Sequence, residues 1–498
     1  LAALPGDGTT IMPPQRTASA AADRGRTFVA MEPVDRLVAL LKQLDGARPG
    51  LDLLHRYYEG RSALPYVPGQ ASPELKQLVR IARTAWGGLI VDSIAERLVV
   101  DGIKSTIGGM DERAWAWWQA NKLDARQAAI HTDALTCAAS YVLVWPGASG
   151  PTIRGLDARD ATGTLAGTDP AVLSEAVYTW TAGGAQRATL YTPDAAYMFA
   201  RPAEGGAVVP VHRGWLEEPD TVMVGPSADW VLLDAPEHGL GACPVARIAN
   251  IPDLRGTGTS DIAHHIPPID RITETALGRL TAGKFGAYRQ RWATGLQLGH
   301  KIDPKTGEPV LGPDGRPVPA GAPFQYGADL LWASEDPDGK FGDFAATDLR
   351  PIVEALDQDI KHLAAVSRTP AHYLLAGTAN PPSAEALLAA ESGLTSKVNR
   401  RQLDFGEAWE HVIRLAALAA GEPALAQDAG LEVVWKNTEV RSMGAVADAL
   451  LKLRQVGIPL QVLLESLGHS PQSIDRTMAL AEAERSAQAR SQAAAFGA

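Results

Sequence analysis

The segment Gly278-Arg279-Leu280-Thr281-Ala282-Gly283-Lys284 has the GxxxxGK spacing of a phosphate-binding loop. That chemistry needs free backbone N–H groups where a strand gives way to a helix, and a Ser or Thr after the lysine to hold magnesium. Phe285 follows Lys284, and the match lies inside a helical pattern whose N–H groups are already bonded. Nucleotide binding is not expected there. The adjacent His264 and His265 point to different sides of a helix, whereas metal-binding histidine pairs need four-residue spacing. The acidic stretch Glu335-Asp336-Pro337-Asp338-Gly339, with Asp343, lacks the alternating ligand spacing and terminal Glu of a calcium loop and reads as a solvated turn. Cys137 and Cys243 are isolated, which excludes a CxxC zinc site and reads as two buried thiols. No GxSxG elbow occurs. Gly256-Thr257-Gly258-Thr259-Ser260-Asp261 reads as a flexible loop opening a helix, a candidate hinge, with Ser260 or Asp261 as its N-cap. No catalytic residue, cofactor-binding residue or metal ligand is assigned, and no enzymatic activity is expected.

The elements that would carry any site must come from a chain of 498 residues with 46% hydrophobic and 21% charged residues. These values are ordinary for a folded protein and argue against wholesale disorder. The formal net charge of -11 gives no global attraction for nucleic acid, so any contact with it would be local. No run of about 18 apolar residues is present, and no membrane span is expected. Residues 1–30 are rich in Ala, Gly, Pro and Thr without sustained periodicity, and Met31 precedes the first helical pattern. A disordered N-terminal arm is expected over 1–30. A leader, a linker or a misassigned start is an alternative account of the same stretch.

From Pro33, Val34, Leu37, Val38, Leu41 and Leu44 recur at helical spacing, and Gly46, Pro49 and Gly50 predict a break before a short helix through Tyr58. Residues 74–100 read as helical with a break at Gly87-Gly88, and a further helix begins at Trp115, Trp117 and Trp118 and continues through Asp124–Cys137. Between about 138 and 250 the runs 141–145, 176–180, 187–191, 208–212 and 230–234 alternate with turn residues, predicting a mainly antiparallel sheet region. Helical patterns at 261–290 and 349–367 flank a Gly/Pro/Asp-rich insert, 294–347, whose DPKTGEP and GPDGRPVP read as successive hairpin turns. A long helix over 383–420, a strand over 431–435 and a helical cluster over 442–490 complete an α+β chain. Helix, hairpin module, helix suits a subunit extended along an axis.

Several segments resemble the portal proteins of tailed phages, in particular the SPP1-like family common in phages of actinobacteria. They are YYEGRSALPYVP (57–68), LIVDSIAERLVVDGI (89–103), residues 367–410 with Thr369-Pro370 and Pro382-Ser383-Ala384-Glu385-Ala386, and residues 433–471 with Gly457-Ile458-Pro459. In the second, Val91-Asp92, Glu96-Arg97-Leu98 and Gly102 fall where the family has a VD…ERL…G pattern; Ile103 stands where an aromatic is common. The resemblance implies an elongated subunit: a wing over 31–258 (α, then β-rich), a stem helix over 259–290, a β-rich clip over 291–347, a second stem helix over 348–370, a tunnel loop over 371–383, a long wing helix over 384–420 and a C-terminal wing or crown region over 421–498.

It further implies a head–tail connector, a homo-oligomeric ring of about twelve subunits at one capsid vertex, assembled in the host cytoplasm. Double-stranded DNA would pass through its channel during packaging and ejection. Expected partners are the terminase large subunit, a head-completion or adaptor protein, and the major capsid and scaffold proteins. The uncharged tunnel loop would face DNA through Ala376, Gly377, Thr378, Ala379 and Asn380. The charge on the first stem helix is uneven. Its second half carries Arg279, Lys284, Arg289 and Arg291 with no acid, so Lys284, Arg289 and Arg291 are candidates for a basic collar. Pairing with the helix C-terminus or with acids of neighbouring subunits explains these charges equally well. The rival readings are a nucleotide-dependent packaging motor, for which no phosphate loop or magnesium-holding acid is found, and another self-assembling phage head structural protein.

Overall fold

The computed structural model describes residues 32–68, 70–106, 109–202, 230–287, 291–294, 300–318, 340–343, 348–375, 383–437, 443–466 and 471–496. The N-terminal stretch 1–30 and the apolar run 208–212 lie outside them.

Helix α1 (Pro33–Tyr58) starts with Pro33 in its first turn and runs unbroken through Pro49. The expected break at 46–50 is therefore corrected. An interior proline forfeits one backbone hydrogen bond, at roughly 3 kcal/mol. Packing at both ends of α1 outweighs that cost: Val34, Leu37 and Leu40 sit in one apolar cluster and Tyr57 in another. The buried stripe is Val34, Leu37, Leu40 and Leu44, whereas Val38 is 37% exposed, so the face is rotated from the expected one.

Helix α2 (Pro73–Ile81) is capped by Ser72, whose hydroxyl accepts from Leu75 N–H at 3.3 Å. Helix α3 (Trp86–Ala95) follows. The interruption thus falls at 82–85, and Gly87-Gly88 lies within the first turn of α3. A Cβ on Gly87 would stand 2.7 Å from the Tyr57 carbonyl oxygen, and one on Gly88 2.7 Å from that of Tyr58. The pair serves close helix–helix approach rather than helix breaking. The chain then leaves the helical state for strand β1 (Val100–Ser105), whose first residue the sequence pattern had placed at the end of a helix, and β2 (Gly109–Met110). Helices α4 (Glu112–Ala120) and α5 (Leu123–Cys137) are separate, because Lys122 adopts φ +55° between them.

The β-rich part contains β3 (Ala139–Trp145), β4 (Thr152–Leu156), β5 (Ala161–Leu165), β6 (Leu173–Ala182), β7 (Ala185–Tyr191), β8 (Ala196–Pro202), β9 (Val231–Asp234) and β10 (Val245–Ala249). They form two antiparallel sheets, β10-β3-β4 and β5-β6-β7-β8-β9. Gly183 and Gly184, both at positive φ, close the β6–β7 hairpin where Ala182 faces Ala185. The N-terminal half of α1 covers the larger sheet through Val177, Ala188, Leu190 and Phe199.

Helix α6 (Ile266–Ala287) leads into strand β11 (Arg291–Thr294), which pairs with β12 (Lys340–Asp343) before α7 (Arg350–Ser367). Between the strands, residues 300–318 form the two expected tight turns, with bridges Ile302–Pro309 and Leu311–Pro317 and with Gly307 and Gly315 at positive φ. Next come the short α8 (Ala371–Leu374), the 37-residue α9 (Ala384–Ala420), the short α10 (Pro423–Ala426) and strand β13 (Glu432–Trp435), which pairs with β1. Helices α11 (Met443–Gln455), α12 (Leu460–Ser466) and α13 (Pro471–Phe496) follow in series, with Gly457 at φ +97° and Pro459 in the α11–α12 turn.

The main core is aromatic. Trp118 of α4 meets Trp409 of α9 edge-on at 4.8 Å, and the Trp409 indole N–H donates to His131 Nε2 at 2.8 Å. Burial lowers the His131 pKa to about 4, so this imidazole is a neutral link in the core, with its Nδ1 on the Leu98 carbonyl oxygen at 3.0 Å.

Candidate functional site

The sequence expectations centre on the helix pair α6–α7 and on the junction that follows it in the chain. Apolar residues Ile269, Ile272, Leu277, Ile360 and Leu363 bury one side of the pair. Polar groups fix its register. The Arg271 guanidinium pairs with Asp359 at 2.8 Å and reaches His362 Nδ1 at 2.8 Å, while the Thr275 hydroxyl donates to Asp359 at 3.0 Å. The pair is also tied to the neighbouring helices, because the Tyr57 hydroxyl donates to Asp270 at 2.6 Å and Leu277 packs against Leu78, Val79 and Ala82. The tyrosine pair singled out in the sequence thus has two separate jobs, since the Tyr58 hydroxyl bonds to Asp92 at 3.1 Å.

At the end of α7 the chain reverses through Arg368, at φ +55°, and Thr369-Pro370. Two polar clusters secure the chain on either side of this reversal. In the first, the Arg97 guanidinium donates to the Tyr373 hydroxyl at 2.7 Å, that hydroxyl donates to Glu391 at 2.9 Å, and Arg97 lies 3.7 Å from the same carboxylate. The cluster joins the end of α3, helix α8 and the second turn of α9. In the second, Asp261 is buried and accepts from Arg401 at 2.8 Å and from Asn250 at 2.9 Å, with Lys397 Nζ at 2.7 Å. Burial alone would push the Asp261 carboxyl up, but Lys397 and Arg401 hold it below the usual carboxylate range. Lys397 Nζ also donates to the Ser367 carbonyl at 3.3 Å, so the loop before α6, the end of α7 and α9 share one network.

The expectation that Ser260 or Asp261 caps a helix is thus corrected: the single turn Ala263–His265 begins after Ile262 without a side-chain cap, and α6 starts only at Ile266. Ser260 Oγ accepts from Ile262 N–H at 3.0 Å, and Asp261 is committed to the buried ion cluster. The loop is not an open hinge either. A Cβ on Gly258 would lie 2.1 Å from the Ala138 carbonyl oxygen, so the backbone is wedged against the end of α5.

Ala376, Gly377, Thr378, Ala379 and Asn380 lie outside the described residues, between Leu375 and Ser383, whose hydroxyl caps α9 by accepting from Ala386 N–H at 3.2 Å. Lys284 is half-buried in the last turn of α6, Arg289 lies outside the described residues, and Arg291 opens β11 opposite Asp343. The Gly278–Lys284 segment is continuous helix. Glu391, Lys397 and Arg401 were not anticipated as a set. Their spacing along α9 was readable, but their partners Arg97 and Asp261 come from distant segments.

Comparison with known proteins identifies the class. The family described as "Phage portal protein, SPP1 Gp6-like" matches residues 40–492. Curated proteins named "Portal protein" from Mycobacterium phages D29 and L5 are 32% and 31% identical over 443 residues, 83% of this chain and 81% of each relative. A chain from a structure titled "Virion of native gene transfer agent (GTA) particle" aligns at 13% identity and a TM-score of 0.38, over 81% of this chain and 95% of that one. The chain belongs to the SPP1-like family of phage portal proteins, and its function is that of a phage portal. Its described residues form a mixed α+β fold, and among them no helix is long and apolar enough to cross a membrane.

Proposed function

We propose that this portal protein works as one subunit of a closed ring of about twelve copies at a capsid vertex, a conduit for double-stranded DNA during packaging and ejection. The observation that carries this reading is the α6–hairpin–α7 unit, two helices registered by Arg271–Asp359 and joined through paired strands, in a chain that belongs to the portal family. On this reading the wing is 31–258, the first stem helix 259–290, the clip 291–347 and the second stem helix 348–370. The tunnel loop is 371–383, the long wing helix 384–420 and the C-terminal wing or crown region 421–498. The uncharged residues Ala376 to Asn380 face DNA, which suits a conduit: phosphate neutralisation by many cations would make the polyanion stick. Lys284, Arg289 and Arg291 supply a basic collar near the clip. The terminase large subunit and an adaptor dock on the ring, and the capsid and scaffold proteins surround it.

The subunit itself performs no catalysis, consistent with the helical state of its GxxxxGK segment, whose backbone N–H groups are engaged within α6. Electron microscopy of the purified protein tests the reading: rings with a central hole are expected, and a uniformly monomeric or filamentous product would refute it.

A further inference from the structure

A cavity of about 690 Å³ opens between α1 and the face of the five-stranded sheet, away from the helix pair and its junction. Its apolar lining comes from Val38, Leu41, Trp180 and Trp230, which accounts for the exposed face of Val38. Trp180 is held in place by stacking on Tyr178, with ring centroids 5.2 Å apart, and Arg201 lies over the Trp230 ring at 5.2 Å.

The charge in the wall is unbalanced. Lys42, Arg48, Arg187 and Arg201 line the cavity against two carboxylates, Asp45 and Asp160. Both carboxylates are engaged by Arg48, at 3.0 and 3.8 Å. Arg201 donates to the neutral Gln186 at 2.6 Å. Lys42 and Arg187 make no ion pair among the described residues. A guanidinium is shaped to meet a carboxylate with two parallel bonds.

We propose that this cavity is a docking site for an acidic peptide segment of a partner protein, with a carboxylate received by Arg187 and Lys42 and an adjacent apolar or aromatic side chain set between Trp180 and Trp230. The site favours a peptide over nucleic acid, because Asp45 and Asp160 in its wall would repel a continuous phosphate backbone while tolerating one localised carboxylate. The volume suits a few side chains, not a folded domain.

The test uses the full chain and a fluorescein-labelled peptide of alternating Glu and Phe, read by fluorescence anisotropy. A single-stranded thymidine oligonucleotide of the same length serves as the comparison. Saturable peptide binding that weakens with salt is expected. Arg187→Gln and Lys42→Gln should each weaken it about tenfold, the scale of one charge-assisted hydrogen bond, while circular dichroism and thermal melting stay unchanged. Should a variant misfold, mass spectrometry of the wild-type chain supplies a second reading: bound peptide should protect Lys42 from acetylation. No binding, equal binding by both variants, absence of Lys42 protection, or oligonucleotide binding that depends on the same two residues would overturn the proposal. So would peptide binding that emerges only when residues 203–229 are replaced by a short Gly-Ser linker, since the site would then belong to this chain's own segment.

Discussion

Asp133 holds its carboxylate against the Ala158 N–H, accepting at 2.9 Å, and stands near Asp157. Burial, aided by the Asp157 charge, pushes its pKa up to about 7. An acid whose pKa rises on folding binds its proton more tightly in the native state. Its contribution to stability is therefore most favourable below the ordinary carboxylate range and is lost as pH rises through 7. Asp133→Asn keeps an acceptor for Ala158 and removes the titration. The variant should melt several degrees higher than wild type at pH 8, with the difference shrinking toward pH 5; thermal melts at the two pH values check this. Asp261 makes the opposite case. Asp261→Asn leaves Lys397 and Arg401 buried without a counter-charge, a change that typically costs about 3–5 kcal/mol. Denaturant titration should show a lowered midpoint, and an unchanged midpoint would mean that the cluster relaxes into water.

At the scale of the element, the α3–α1 contact is set by glycine. Gly87→Ala would put a methyl group against the Tyr57 carbonyl, forcing helix α1 outward and removing Tyr57 from Asp270. A loss of about 1–3 kcal/mol is expected, the usual range for overpacking, and Gly46→Ala, where nothing lies within 4 Å, is the matched control. These two glycines also explain which elements the sequence disclosed. Periodicity located α6, α7, α9 and β13 to within a few residues, because each has an uninterrupted pattern between turn signals. The same rules misplaced the breaks in α1 and near α3, because a glycine or proline carries one local signature whether it ends a helix or lets two backbones touch. Strands β4, β5, β8 and β10 escaped notice: Thr and Gly dilute the apolar runs of β4 and β5, and Ala and Arg those of β8 and β10. The polar clusters at Glu391 and Asp261 were illegible for another reason. The charged partners, Arg97 for Glu391 and Lys397 and Arg401 for Asp261, lie more than a hundred residues away in the chain, and only the fold brings them together.

For the whole molecule, charge is the governing quantity. A net charge of -11 per chain repels both DNA and other copies, so any attraction for DNA has to be local. The proposed collar can be tested on this basis. Lys284→Gln, Arg289→Gln and Arg291→Gln, made singly, should leave ring formation intact and slow DNA packaging, with the defect growing at low salt, where the wild-type collar is least screened. Packaging at the wild-type rate by every ring-forming variant, across a range of salt, would remove the collar from the account and leave the charges as partners of neighbouring acids.

Helix α9 is a single rod of 37 residues, about 55 Å at the helical rise. It is gripped along most of that length: Phe405, Trp409, Val412 and Ile413 are fully buried in its C-terminal half, and Leu394 and Val398, with the Glu391, Lys397 and Arg401 contacts, hold its N-terminal half. A rod held along both halves does not pivot but carries load along its axis. Glu391 lies about 27 Å from Trp409 at the helical rise, so an axial shift forced on Trp409 by a substitution in the aromatic core would arrive almost undiminished at the Arg97–Tyr373–Glu391 contact.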